Sequence, residues 1–365
     1  MAQSLAFNDA ASDPIESIQL VNVPLPPCGP KQVLVRLLSA PVNPLDIAVI
    51  QGKYPVKPQN SITSELGETL KIPGSDGAAR VTQVGDAVTN ISVGDIVILK
   101  RHCRGSFRTH AAFEQDDVLK VPDDIDVRLA SILRMGVAPA YFQLTDYHPL
   151  VPGDWVIQTA ATGTIPHFVC QFAQFFGVNI ISVIRRRSQD DDPESVKRSL
   201  KTFGASLVLT EDELDTTTEL DGKRICLAID SVSNETLTTK LLSKLAPGST
   251  YLTVGFLGRT LGPAAHGSQS SNPLPDFGFI AWQRNITLKG FRLTISLEKR
   301  TPEQQTALLS WFSDLVCRGL LKLPALEYVR WNPLEEGLEA KLRSAISQTQ
   351  RPQLGQKKKI FVFDE

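Results

Sequence analysis

The feature that most constrains the fold is a change of rhythm near Pro152. After the turn Pro152-Gly153-Asp154 comes the β-rich run WVIQTA. Next is IPHFVCQFAQFFG, apolar at helical spacing and stopped by Gly177, and then NIISVI, apolar and β-branched. A strand, a helix and a strand in close succession make the βαβ unit of a parallel sheet. The alternation continues with a helix over 194–203 ended by Gly204, the strands SLVLT and ICLAID, and a helix in TLTTKLLSKLA closed near Gly248. STYLTVG and ITLKGF follow as strands. The pattern predicts an α/β fold with a doubly wound parallel sheet, a Rossmann domain over residues 141–296.

The residues before it behave differently. QVLVRLL, GAARVTQVG, DIVILK and VLKVP are short apolar runs broken by turns, with Pro24, Pro26, Pro27, Gly29 and Pro30 punctuating the start. Such spacing predicts a small β-rich barrel or sandwich, with Gly85–Gly94 as a loop between strands. At the other end, Thr301 as N-cap, Pro302 at N1 and Gln304 at N3 predict a capped helix with Leu308, Phe312, Leu315 and Val316 on its apolar side. The strand-like KIFVF closes the chain. The tail is expected to rejoin the first domain, so that residues 1–140 and 297–365 form one discontinuous catalytic domain.

Composition removes several function classes. The formal net charge is -1, so no global field recruits nucleic acid or an anionic membrane. No apolar run is long enough for membrane insertion. Cys28, Cys103, Cys170, Cys226 and Cys317 are scattered, odd in number and never paired as C-x-x-C, which predicts reduced thiols rather than a disulfide framework or a cysteine zinc site. The opening MAQSLAFNDAASDPIES has no basic n-region, no apolar core and no arginine-rich amphipathic character. The expectation is a cytoplasmic protein, or a mitochondrial one whose presequence is missing from this sequence.

The first strand–helix turn, Ala160-Ala161-Thr162-Gly163-Thr164-Ile165-Pro166-His167, stands where a dinucleotide pyrophosphate is cradled by glycine-rich backbone and helix N-terminal amides. It is not G-x-G-x-x-G. Thr162 and Thr164 offer hydroxyls, and Thr164 is a candidate N-cap. Pro166 removes one amide donor. By itself the turn suits a phosphate cradle and an ordinary βα connection alike. Arg185-Arg186-Arg187 follow directly on NIISVI, where NAD-selective enzymes place an acid and NADP-selective ones place arginine for the dianionic 2′-phosphate. A solvated basic corner is the bland alternative, and the topological position favours phosphate.

The segment PVNPLDIAVIQGKYPVKP resembles the N-P-x-D-I…I-Q-G-x-Y-P stretch of the mitochondrial 2-enoyl thioester reductases, zinc-free medium-chain dehydrogenases/reductases. The resemblance continues through GSFRTHAAF, through WVIQTAATGTIPHFVCQFAQFFGVNIISVIRRR, and through TVGFLG and ITLKGFRL. It implies a GroES-like catalytic domain joined to the Rossmann domain. It implies NADPH as cofactor, and an enoyl thioester on CoA or acyl carrier protein as substrate: hydride goes to Cβ and a proton to Cα. Tyr54 matches the family's catalytic tyrosine. A phenol with an ordinary pKa of about 10 is protonated at neutral pH and can donate as the enolate develops. Carried over by position, Thr162, Gly163, Thr164 and Ile165 occupy the pyrophosphate turn and Arg185, Arg186 and Arg187 the 2′-phosphate site. Val254, Gly255, Phe256 and Leu257 line the nicotinamide side, Phe291, Arg292 and Leu293 match a further contact strand, and Lys358 matches a lysine that reaches the cofactor. A homodimer through the cofactor domain is likewise implied.

Departures concentrate at the cofactor. The family's Asn-Ser in the turn is Thr162-Gly163 here, its following glycine is Pro166, and its V-N-P-x-T-A-Y reads Val137-Ala138-Pro139-Ala140-Tyr141 after Met135-Gly136. Where zinc enzymes carry G-H-E this chain reads Ile72-Pro73-Gly74-Ser75-Asp76-Gly77, so no metal is expected. His102, His110 and His148 read as surface or hydrogen-bonded histidines. A quinone or enone reductase of the same superfamily, and a non-catalytic NADPH-binding paralogue, remain as alternatives.

Overall fold

The computed structural model describes residues 1–13, 15–63, 67–186, 191–255, 257, 274–351 and 353–364. The chain divides into two units: Met1–Met135 with Arg300–Pro352 and Lys357–Glu365, and Gly136–Lys299 with Gln353–Gln356.

In the first unit β1 (Ala2–Ala6) pairs antiparallel with β2 (Gln19–Val23). The larger sheet is built on β3 (Gln32–Pro41), whose burial alternates in its first half and is complete in its second. That pattern belongs to a strand that leaves a solvated face and enters the core. β4 (Ser61–Thr63) and β5 (Thr69–Lys71) form a separate hairpin. β6 (Ala78–Val84) and β8 (His110–Glu114) pair antiparallel with β3, and β7 (Ile96–Leu99) lies between β6 and β9 (Val118–Lys120). Residues 85–94 form the β6–β7 connection. Two helices interrupt the strands. α1 (Pro44–Ile50) starts at Pro44 because the ring fixes φ where no amide donor is needed. α2 (Val127–Ile132) is capped by Asp126, whose carboxylate accepts from Arg128 N at 2.8 Å, and it runs into a π-helical turn, Leu133–Val137.

The second unit opens with α3 (Ala138–Thr145). Then follow β10 (Trp155–Gln158), α4 (Thr164–Phe175), β11 (Asn179–Ile184), α5 (Pro193–Thr202), β12 (Leu207–Thr210), α6 (Glu213–Thr216), β13 (Ile225–Asp230), α7 (Glu235–Lys244) and β14 (Thr250–Thr253). α8 (Leu274–Arg284), β15 (Thr287–Gly290) and α9 (Leu293–Glu298) complete it. Its sheet has the order β12-β11-β10-β13-β14-β15, with every pairing parallel. Strand order therefore reverses at β10 and β13, the switch point at which open α/β sheets bind ligands beyond their carboxyl ends. β13 is buried throughout, while β15 is the exposed edge. Helix α7 stops at Lys244, short of Gly248. Pro247 explains the early stop, since it pushes Ala246 out of the helical region.

The tail brings α10 (Pro302–Cys317), β16 (Leu326–Trp331), α11 (Leu338–Gln350) and β17 (Lys358–Phe363). The capping box of α10 is formed in both directions: Gln304 N donates to Thr301 Oγ1 at 3.3 Å, and Thr301 N to Gln304 Oε1 at 3.0 Å. β17 pairs antiparallel with β3 and parallel with β16, so the last strand belongs to the sheet of the first unit.

Candidate active site

Tyr54 sits just beyond α1. Asn43 caps that helix: its amide donates to Asp46 Oδ2 at 2.8 Å, and Asp46 N donates to Asn43 O at 2.9 Å. The helix ends where Gly52 turns the chain at φ 67°, and Lys53 N and Tyr54 N both fold back onto Ala48 O, at 2.8 and 3.2 Å. The half-buried Tyr54 ring stands edge-on to His102, centroids 5.6 Å apart. Next to His102, the buried Cys103 adopts a left-handed conformation (φ 61°). Burial pushes its thiol up to about 11, so it stays protonated and is a poor nucleophile.

Beneath α1 lies a group of buried charges of which sequence reading singled out only Lys358, as a cofactor contact. Asp46 and Asp76 are both buried. Arg134 Nε is 3.4 Å from Asp76 Oδ1, and Met135 N donates to Asp76 Oδ2 at 3.2 Å. Burial pushes the Asp46 carboxyl up to about 6 against hydrogen bonds from Ser75 and Asn43. Burial pushes Asp76 up to about 7, with Arg134 pulling the other way. Lys358, at the start of β17, donates from Nζ to Val42 O at 2.7 Å and to Asn43 Oδ1 at 2.5 Å. Burial lowers its pKa to about 8, opposed by Asp46 and Asp76. Two of the three ammonium donors of Lys358 are thus spent on the N-terminus of α1.

In the second unit the expected pyrophosphate turn connects β10 to α4. Ala160 is left-handed (φ 51°), Ala161 N donates to Val183 O at 3.2 Å, and Gly163 N to Ala160 O at 2.9 Å. The N-cap is Gly163, and Thr164 is the first helical residue rather than the cap. A Cβ on Gly163 would meet Ala160 O at 3.2 Å and Pro166 Cδ at 3.4 Å, so glycine lets the turn close tightly. Among the described residues, the amides of Thr162, Thr164 and Ile165 have no protein acceptor. A helix N-terminus with free amides suits an anionic phosphate. The residues present therefore fit a dinucleotide, with Pro166 withholding one donor.

Arg185 and Arg186 follow β11, half-buried and exposed respectively; Arg187 lies outside the described residues. Glu211, at the end of β12, was not anticipated. Its amide donates to Ile184 O at 3.0 Å, and its carboxyl pKa is raised by burial and lowered by Arg185. No sequence signal pairs positions 185 and 211; the β11–β12 register does so.

The carboxyl end of β13 carries a second unanticipated group. The fully buried Asp230 carboxylate accepts from Thr159 Oγ1 at 2.8 Å, Val232 N at 2.9 Å, Ser233 N at 3.1 Å and Tyr251 OH at 2.5 Å. Its backbone carbonyl takes Val254 N at 2.7 Å. Ser233 is left-handed (φ 53°) and donates from Oγ to Gly255 O at 2.8 Å, while Leu257 N reaches Ser231 O at 3.0 Å. Val254, Gly255 and Leu257 thus form one hydrogen-bonded group with residues 230–233, next to Thr159, the residue just beyond β10. Phe256 lies outside the described residues. Phe291, Arg292 and Leu293 do not form a strand: β15 ends at Gly290, Phe291 N donates to Thr253 O at 2.8 Å, Arg292 is an exposed N-cap, and Leu293 opens α9. Gly290 marks the change, ending the ladder before the next helix begins.

His110 Nδ1 is 3.0 Å from Thr109 Oγ1, and His148 Nδ1 is 3.1 Å from Thr250 Oγ1. Among the described residues no group of three His, Cys, Asp or Glu side chains is arranged to hold a metal. No helix among them is long and apolar enough to cross a membrane.

Residues 29–123 match the alcohol dehydrogenase GroES-like domain. The chain is 32% identical over 342 residues to the mitochondrial enoyl-[acyl-carrier-protein] reductase of Homo sapiens, covering 93% of this chain and 85% of the relative. It superposes on the Etr1p/NADP/crotonyl-CoA complex with a TM-score of 0.80 at 25% identity, covering 99% of each chain. The mitochondrial 2-enoyl thioester reductase Etr1p/Etr2p heterodimer from Candida tropicalis gives 0.79 at 25% identity, again covering 99% of each.

Proposed function

Because this chain belongs to the family of the mitochondrial enoyl-acyl-carrier-protein reductases, we propose that it reduces the 2,3 double bond of enoyl thioesters with NADPH, and that Tyr54 is the proton donor. The observation that carries the reading is Tyr54 itself. Its amide is anchored to Ala48 O at the end of α1, and it closes the Ile50–Tyr54 stretch, the specific part of the resemblance. When bound, NADPH supplies the hydride that goes to Cβ. Negative charge then builds on the thioester carbonyl and Cα, and the Tyr54 phenol delivers its proton to Cα. In the second unit, the free amides at the start of α4 hold the pyrophosphate. Arg185 and Arg186 hold the 2′-phosphate, giving a dianion two guanidinium partners. Val254, Gly255 and Leu257 shape the nicotinamide side, and Asp230 keeps them in place.

The exposed β15 edge carries Leu288, 48% exposed, and Trp282 on the preceding helix is 79% exposed. The outer edge of β15, which pairs only with β14 among the described residues, together with its apolar neighbours favours pairing with a second copy, and a homodimer through this edge is our reading. The human relative is named as mitochondrial, and the same compartment is the reading for this chain, tested by cell fractionation.

The decisive assay is NADPH oxidation with crotonyl-CoA. Parent enzyme is expected to turn over, Tyr54→Phe to lose about 100-fold or more in kcat, and Arg185→Ala to raise KM for NADPH while leaving KM for NADH unchanged. Preference for a soluble quinone over the thioester would favour the quinone reductase alternative. Full activity in Tyr54→Phe would remove the phenol from the mechanism.

A further inference from the structure

Two loops of the first unit meet at Tyr54, and both are basic. Lys53-Tyr54-Pro55-Val56-Lys57 lies against Arg101-His102-Cys103-Arg104. Gln59 N donates to Cys103 O at 3.0 Å, Asn60 Nδ2 to Arg104 O at 2.6 Å, and the Tyr54 and His102 rings touch edge to face. With Lys100 the loops carry five cations. Asp117 takes Arg104 at 2.8 Å and Arg101 at 3.5 Å. Among the described residues Lys53, Lys57 and Lys100 have no ion pair, and Lys53, Lys57 and Arg101 are exposed. In a chain of net charge -1, this concentration of positive charge at the proposed proton donor is local.

We propose that the basic rim of Lys53, Lys57, Lys100 and Arg101 receives the phosphate groups of coenzyme A on the enoyl thioester, and so sets the enzyme's preference among thioester carriers. The inference rests on the enoyl reductase reading. The thioester is neutral in the ground state, and Lys53, Lys57 and Arg101 are exposed to solvent rather than buried against the reacting bond, so a permanent anion elsewhere on the substrate is their better match. The phosphates of CoA lie one pantetheine arm away from that bond. Lys57 and Arg101 stand on the two loops that flank the phenol, and both are exposed to solvent. Exposed cations also raise the local concentration of a polyanionic substrate. Each exposed contact is worth about two- to fivefold in binding, and screening by salt weakens it.

The test compares three substrates on the full chain: crotonyl-CoA, crotonyl-dephospho-CoA and crotonyl-pantetheine. Parent enzyme is expected to show KM rising in that order, with a CoA advantage that shrinks as salt is added. The double variant Lys57→Gln/Arg101→Gln is expected to cut the KM ratio of pantetheine to CoA thioester about tenfold. Lys31→Gln, which removes the same charge outside the two loops, keeps the parent ratio. A parent ratio near one, or a double variant that keeps the parent ratio while melting at the parent temperature, would overturn the inference and leave the reductase reading standing. Turnover of none of the three thioesters would overturn both.

Discussion

Replacing Asp230 by alanine tests whether the second unit's loops depend on one buried carboxylate. The carboxylate satisfies four donors, Thr159 Oγ1, Val232 N, Ser233 N and Tyr251 OH. Thr159, Tyr251 and Val232 are themselves buried. An unsatisfied buried donor costs about 1–3 kcal/mol, but water entering the vacated space and relief from burying a charge offset part of the sum. The net loss expected for Asp230→Ala is about 3–5 kcal/mol. Tyr251→Phe removes one bond to a charged acceptor and should lose about 1.5–3 kcal/mol. Asp230→Asn keeps an oxygen for Thr159 Oγ1 and Val232 N. Its amide group then faces Ser233 N, and Tyr251 OH can turn to accept, so about 1–2 kcal/mol is expected. For a unit of this size the alanine variant should melt roughly 6–20 °C below the parent by calorimetry. KM for NADPH should rise with it, because Val254 and Gly255 are held through the same residue. Equal losses for Asp230→Ala and Asp230→Asn, or an alanine variant within about 1 kcal/mol of the parent, would refute the argument.

Gly74 has φ 107°, and a Cβ there would overlap Ser106 Oγ and lie 2.8 Å from Phe107 N, so Gly74→Ala is expected to lose about 3 kcal/mol or more in urea unfolding. The buried charges beneath α1 give a defined pH dependence. Asp46 and Asp76 have folded pKa values raised to about 6 and about 7, so their contribution is present below about pH 4 and is lost as pH rises through those values. Lys358 is lowered to about 8, so its contribution is present above about pH 10 and is lost as pH falls through 8. The cluster should therefore stabilise least between about pH 7 and 8, and the stability of parent relative to Asp46→Asn should fall by roughly 2–3 kcal/mol from pH 4 to 8. Denaturant titrations across that range check it; a flat difference contradicts the burial argument. Leu288→Glu on the β15 edge is expected to convert a dimer to monomer in light scattering, and an unchanged mass would place the interface elsewhere.

Much of the second unit was legible because each of its signals is local. β-Branched runs, a helical apolar period and glycines at helix ends mark β10, α4, β11 and α5 within a residue or two, and the capping box of α10 needs only four neighbouring residues. The ends of segments were less legible where a competing local rule acted. Pro247 shortened α7, and Gly290 ended β15 before Phe291. The candidate site was legible only where a short motif carried it, as for Tyr54, the Thr162–Ile165 turn and the arginines after β11. Contacts made by the sheet itself left no trace in the sequence. Lys358 meets Asn43 only because β17 pairs with β3, and Glu211 approaches Arg185 only because β12 follows the β11 register. Asp230 meets Tyr251 because adjacent parallel strands bring their ends together.

Backbone strain points to the same places by an independent route. Among the described residues four non-glycines have positive φ: Cys103, Ala160, Ser233 and Asn285. Asn285 follows α8, and asparagine tolerates that conformation. The other three residue types have no such tolerance, and each costs of order 1 kcal/mol or more when held there. Such residues persist only if surrounding bonds over-determine them, and here they do. Ala160 O takes Gly163 N; Ser233 is tied by its amide to Asp230 and by its hydroxyl to Gly255; Cys103 O takes Gln59 N. Two of the three stand just beyond the carboxyl ends of β10 and β13, the strands flanking the switch point, and the third adjoins the ring packed on Tyr54. The fold therefore places its unfavourable backbone at the turns to which the proposed function assigns the cofactor and the phenol. Its core strands, buried and regular, supply the stability that holds those turns in place.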